Sequence, residues 1–228
     1  MGWRAEGGRV AAVAWKDLVA ERRAKANFNS VLAFAALTLL LFGFALGPET
    51  DALRKAAAGV LWLTVLFSGI LAFNRSYQLE LEDGALETLI LYPGARRSLY
   101  LGKLVANMAF LLLVEAVVVP LAAILYQIPV GASLPGLVGM LLLGTFGFVT
   151  LGTFYAAMAS RVRAREVLLP LLLFPMLVPL VVAAVKGTVA VLTGDPMGEA
   201  GSWARLLVAY DAIFFVAATW AFEAVIEE

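Results

Sequence analysis

Six long apolar runs constrain this 228-residue chain more than any other feature, because 62% of its residues are hydrophobic and only 15% are charged. A bilayer core about 30 Å thick needs roughly 20 apolar helical residues to cross it. Within lipid, backbone N–H and C=O groups must be satisfied inside their own segment, so each run predicts a helix. The predicted spans are residues 30–46, 56–73, 104–128, 134–159, 167–185 and 206–222.

The connections between these runs are too short for a second globular domain. We therefore expect residues 1–228 to form one all-α, polytopic membrane domain with six transmembrane helices. The formal net charge is zero, which argues against a basic surface for nucleic acid.

The distribution of Lys and Arg predicts the orientation of the chain. Thirteen of the 17 basic residues lie before the first run, in segment 75–103 or between residues 161 and 165, and the alternate loops hold the other four. Because cytoplasmic loops carry the excess of Lys and Arg, both termini and segment 75–103 are predicted to be cytoplasmic.

Residues 10–25 have the periodicity of an amphipathic helix. The predicted apolar face consists of Ala11, Ala14, Trp15, Leu18 and Val19. A helix with a central tryptophan and flanking basic residues is typical of an interfacial helix that lies on the cytoplasmic leaflet. An ordinary juxtamembrane cap is the alternative.

Small residues mark the fourth run, where Gly136, Gly139, Gly147, Thr150 and Ala157 fall on one stripe. Such stripes allow helices to approach closely. The partner helix is expected within the chain, with a subunit interface as the alternative.

Three prolines interrupt the fifth run, at Pro170, Pro175 and Pro179. Each proline removes a backbone donor, so the run predicts a bent or broken helix. Residues 186–205 are too polar to span, and we expect an external segment there that could dip back into the membrane.

The chain contains no histidine and no cysteine, which removes the commonest general base, metal ligand and thiol nucleophile. No phosphate-binding loop of the G-x-x-x-x-G-K-[ST] type is present. We therefore assign no catalytic, cofactor-binding or metal-binding residue and do not expect an enzyme.

Glu115 is the one acidic residue deep inside a predicted span. Intramembrane acids are costly and often mark a transport pathway or a paired partner. The alternatives are that Glu115 is protonated, or that it lies nearer an interface than the segmentation indicates.

Segment 75–103 carries the strongest local pattern. Its acidic residues precede Arg96, Arg97 and Lys103, and its leucines recur at helical spacing up to a stop at Tyr92-Pro93-Gly94. A short amphipathic helix near Asp83 that joins two spans could dock in a groove of another protein. A solvated hairpin loop is the alternative.

Several stretches resemble one known family in the same order along the chain. LELEDGALETLILYP is similar to the acidic-Gly-x-Leu-Glu segment of the haem exporter protein B family, the membrane subunit of the cytochrome c maturation system. SRVRAREVLLPLLLFPMLVPLVV resembles the basic loop and Pro-rich fifth span of that family. KDLVAERR and LLFGFALGP also resemble it.

The resemblance implies an ABC-2-type exporter permease with an interfacial amino-terminal helix, in which the segment after span two is the coupling helix that contacts a separate ATPase subunit. That role carries over to Glu80, Glu82, Asp83, Gly84, Leu86, Glu87 and Pro93, and Leu89 joins them on the same apolar ridge. Glu115, Pro170, Pro175 and Pro179 are candidates for an intramembrane pathway or partner contact.

The implied partners are an ABC ATPase subunit that binds ATP, a haem-handling membrane subunit, its small companion, a haem chaperone and a second permease copy. The implied location is the bacterial inner membrane. Lacking His and Cys, this chain is expected to leave haem ligation to its partners. The resemblance leaves open whether haem itself is moved or haem-loaded chaperone is released. A scaffold and an intramembrane enzyme are the competing functions.

Overall fold

The computed structural model describes residues 3–23, 25–82, 95–128, 131, 133–160 and 165–225, and the described residues are helical with no strand. The helices are α1 (Trp3–Arg23), α2 (Lys25–Leu46), α3 (Thr50–Glu82), α4 (Ala95–Leu125), α5 (Leu134–Ser160), α6 (Arg165–Leu192) and α7 (Ala200–Val225). Six of them, α2 to α7, are long and apolar enough to cross a membrane. The prediction of an all-α protein with six spans is confirmed.

The last two spans differ from their predicted bounds. Helix α6 continues without a break through Pro175 and Pro179 to Leu192. Of the two predicted outcomes, a broken helix is wrong, and a bend stays a prediction. The Tyr210 hydroxyl on α7 donates a 2.7 Å hydrogen bond to the Met176 carbonyl, which ties α7 to this stretch of α6.

The expected external segment 186–205 is correspondingly shorter. Its first part is the end of α6 and its last part is the start of α7, so the connection is residues 193–199. The apolar stretch of α7 extends from Ala200 to Phe222, which adds six residues before the predicted start. The structure therefore shows two helix ends and a short turn, and no re-entrant helix in this segment.

Helix α5 lies at the centre of the bundle and packs against α3, α4, α6 and α7. Its glycines receive large side chains from these neighbours. A Cβ atom at Gly144 would overlap the Trp62 ring, and one at Gly152 would overlap the Phe73 ring. A Cβ at Gly136 would lie 2.9 Å from Val191 Cγ1.

The predicted stripe of small residues on α5 therefore packs mainly within the chain. Gly147 lies against Leu180 and Asp211, and both Thr150 and Ala157 are buried. Gly139 is the exception, because a Cβ there would meet nothing within 4 Å.

Hydrogen bonds between buried side chains connect the same helices. Trp62 Nε1 donates to Thr188 Oγ1 at 2.9 Å, which joins α3 to α6. Asn107 Nδ2 on α4 donates to Thr153 Oγ1 on α5, also at 2.9 Å. In lipid such bonds and close packing hold helices together, because burial from water gives no further stabilisation there.

Helix α1 packs along α4, and its packed side differs from the predicted apolar face. A Cβ at Gly102 would lie 2.5 Å from Val13 Cβ and 3.0 Å from the Val10 carbonyl, and Ala14 is buried. Trp15 is 70% exposed. The predicted face is thus divided, since Ala14 is buried and Trp15 is exposed, and the interfacial position of α1 stays a prediction.

The packing predicts that Gly152→Val destabilises the protein far more than Gly139→Val. The branched side chain at position 152 must displace the Phe73 ring, and overpacking of this kind costs about 1–3 kcal/mol. Position 139 on the same helix has open space. Thermal unfolding of both variants in detergent measures the difference, and equal midpoints would contradict the close packing at Gly152.

Candidate functional site

The predicted coupling residues lie almost entirely outside the described part of the chain. The structure does not describe Asp83, Gly84, Leu86, Glu87, Leu89 and Pro93. Glu80 and Glu82 belong to the last turns of α3, and their side chains are likewise not described. The docking helix therefore remains a prediction.

The helices on either side of this segment are described. The apolar part of α3 ends at Asn74, and the helix continues to Glu82, while α4 begins at Ala95. Each end of segment 83–94 is therefore covalently joined to a helix that crosses the membrane. A displacement of the segment would be transmitted directly to α3 and α4.

A buried ion pair fixes the start of α4 to α1. Lys103 is fully buried, and its Nζ lies 3.2 Å from Asp17 Oδ2. The other oxygen of Asp17 lies 3.2 Å from Lys16 Nζ. The sequence analysis grouped Lys103 with Arg96 and Arg97 at the end of segment 75–103. In the structure the Lys103 ammonium contacts Asp17 of α1.

A second pair, Arg97 with Glu6, also joins α4 to α1. Its Nε–Oε1 distance is 3.9 Å, and the two side chains are 55% and 36% exposed. Exposed pairs of this kind contribute little. The connection between α1 and α4 thus depends on Lys103–Asp17 and the apolar contact at Gly102.

Glu115 is buried between α4 and α5, where its carboxylate accepts a hydrogen bond from the Thr145 hydroxyl. Thr145 lies near the middle of the α5 span, Leu134–Ala159. The alternative that Glu115 lies close to an interface is therefore wrong. Its partner within the described residues is a neutral hydroxyl.

Asp211 is a second intramembrane acid, which the sequence analysis missed. The predicted span 206–222 placed it near a span end, whereas the α7 span Ala200–Phe222 places it at the midpoint. It is 5% exposed, and neither carboxyl oxygen has a hydrogen-bond partner in the described part of the chain. If residues 200–205 are counted as part of the span, Asp211 falls at its midpoint, so the sequence did contain the signal.

The two acids lie on opposite sides of α5 at similar depth. Glu115 contacts Thr145, and Asp211 lies against Gly147. Residues two apart on a helix are about 200° apart around the axis and about 3 Å apart along it. The central helix is therefore flanked by two buried carboxyl groups.

The three prolines of α6 are not part of this arrangement as far as it is described. Pro175 and Pro179 lie on the exposed side of α6, and the side chain of Pro170 is not described. Within the described residues no group of three or more His, Cys, Asp or Glu could hold a metal ion.

These features define a polytopic α-helical membrane protein built around one small-residue helix, with polar groups buried near the middle of its spans. The model of the CcmB protein family matches residues 9–228, and the chain belongs to that family. The family predicted from the sequence resemblance is confirmed.

Several relatives are similar over most of their length. Heme exporter protein B of Paracoccus denitrificans is 34% identical over 183 residues, which cover 80% of this chain and 84% of the relative. Heme exporter protein B of Rhodobacter capsulatus is 34% identical, covering 72% and 75%. That of Pseudomonas aeruginosa is 30% identical, covering 82% and 83%.

The buried ion pair generates a stability prediction. Asp17→Asn removes the Asp17 counter-charge from the buried Lys103 ammonium, which costs about 3 kcal/mol. Glu6→Gln, the matched change in the exposed pair, should cost less than about 0.5 kcal/mol. Denaturant unfolding in detergent measures both.

Combining Asp17→Asn with Lys103→Met should recover most of the loss, because the buried charge is then absent. Equal stability of the Asp17→Asn and Glu6→Gln variants would show that the Lys103–Asp17 pair does not form.

Proposed function

We propose that this protein is the membrane permease subunit of an ABC transporter-like complex for cytochrome c maturation, with haem or haem-loaded chaperone as its cargo. The observation that carries the proposal is the family match over residues 9–228, together with relatives named heme exporter protein B at 30–34% identity. The six spanning helices are those expected of a permease.

In this proposal a separate ABC subunit hydrolyses ATP and contacts segment 83–94. The supporting observation is that α3 and α4 continue from this segment into the membrane without another connection. Binding energy at the segment therefore acts on two spanning helices, and on α1 through the Lys103–Asp17 pair.

Haem would be ligated by partners, because the sequence supplies neither histidine nor cysteine. The partners we propose are a haem-handling membrane subunit with its small companion and a haem chaperone outside the membrane. Two permease copies would face each other in the bacterial inner membrane, each with cytoplasmic termini. This chain would then couple ATP use to movement or release of haem and would not be an enzyme itself.

The coupling proposal predicts that Leu86→Ala weakens association with the ATPase more than Glu82→Ala does. Truncating a buried apolar anchor typically costs more than about 1 kcal/mol of binding free energy, whereas removing a charge at the rim of an interface often changes the binding free energy little. Copurification with the ATPase and cytochrome c yield measure the two effects. Leu37→Ala, in the exposed surface of α2, is the matched control for the lost side-chain volume.

All three variants should reach wild-type levels in the membrane. If Leu86→Ala leaves both ATPase association and cytochrome c yield at wild-type levels, segment 83–94 does not dock the ATPase.

The orientation can be tested without removing any native thiol, because the chain has no cysteine. Cysteines introduced at Ser76 and Arg163 should react with an impermeant maleimide only from the cytoplasmic side. A cysteine at Thr193, in the α6–α7 connection, should react only from the outside. Labelling of position 193 from the cytoplasm in sealed vesicles would reverse the proposed orientation.

A further inference from the structure

An open groove of about 420 Å³ lies where α1, α2 and α4 meet, next to the start of the first span. It has an apolar floor and a charged mouth. The floor includes Phe28, Phe110 and Leu113, and the mouth includes Arg22 and Lys25. The coupling proposal does not use this groove.

The floor is built from a fixed aromatic contact and an exposed aliphatic side chain. The rings of Phe28 and Phe110 meet edge to face, with centroids 5.8 Å apart. Leu113 is 56% exposed and lies two residues before the buried Glu115. Because Glu115 contacts the middle of α5, the floor extends from the membrane surface toward the bilayer centre.

The mouth carries an excess of positive charge. Its one acid, Glu21, accepts a 2.6 Å hydrogen bond from Asn27 Nδ2. Within the described residues, the ion pairs of α1 and α2 involve neither Arg22 nor Lys25. Both cations therefore have donors available for an anion at the level where α2 enters the membrane.

We propose that this groove binds one anionic phospholipid. Arg22 and Lys25 hold its phosphate, and one acyl chain lies along Phe28, Phe110 and Leu113. Basic pockets between spanning helices on the cytoplasmic side recognise anionic headgroups in this way. A free phosphate would use only the mouth, and the apolar floor selects a ligand with a hydrocarbon chain.

Native mass spectrometry of the full chain in detergent tests the proposal, with dioleoylphosphatidylglycerol and dioleoylphosphatidylcholine as probes. The wild type should bind one phosphatidylglycerol more tightly than phosphatidylcholine. Each basic residue near an anionic headgroup changes the dissociation constant about 5-fold, so Arg22→Gln with Lys25→Gln should weaken phosphatidylglycerol binding about 25-fold. Ala109→Trp, which fills the floor, should weaken both lipids.

The matched control removes two exposed cations from the opposite end of the bundle, by Lys55→Gln with Lys186→Gln. It should leave phosphatidylglycerol binding unchanged. Equal binding of the two lipids by the wild type, or an equal loss in the control, would overturn the proposal. Displacement of the lipid by glycerol 3-phosphate would identify a simple anion site, and displacement by haemin would identify a haem groove; either result would also overturn it.

Discussion

The arrangement of the bundle depends on how closely four helices approach α5. Between helices in lipid, contact and hydrogen bonding must supply the attraction, so small residues decide which faces meet. Gly144 leaves room for the Trp62 ring of α3, whose Nε1 reaches Thr188 of α6. One glycine thus allows one tryptophan to join three helices. Gly152 leaves room in the same way for the Phe73 ring, which lies eleven residues after Trp62 on α3.

This packing has a consequence for coupling. Helix α3 continues to Glu82, next to the segment proposed to contact the ATPase, while its Trp62 and Phe73 rings occupy the spaces at Gly144 and Gly152. An axial shift of α3 alone would drive both rings against the α5 backbone. The proposed ATPase-driven displacement would therefore move α3 and α5 together, and the two buried acids that contact α5 would change their surroundings at the same time.

The sequence predicted the features that depend on hydrophobic length and missed those that depend on a particular neighbour. Apolar runs located all six spans, but Lys186 and Arg205 obscured the ends of α6 and α7, since polar side chains at helix ends can reach water without ending the helix. That boundary error concealed Asp211. The importance of Gly144 and Gly152 was also missed, because periodicity alone does not indicate which aromatic ring lies opposite a glycine.

The attachment of α1 follows from the same reasoning about neighbours. Residues 10–25 have an amphipathic pattern, but the contacts with α4 determine which part of it is buried. These contacts are made at Gly102 and at the fully buried Lys103. The remaining surface presents Trp15 and, about two turns further along the same side of α1, Arg22 at the proposed lipid groove. A helix fixed to α4 by an ion pair and to the leaflet by a lipid would resist rotation of α4. Movement of the coupling segment would then be directed along α4 instead of twisting it.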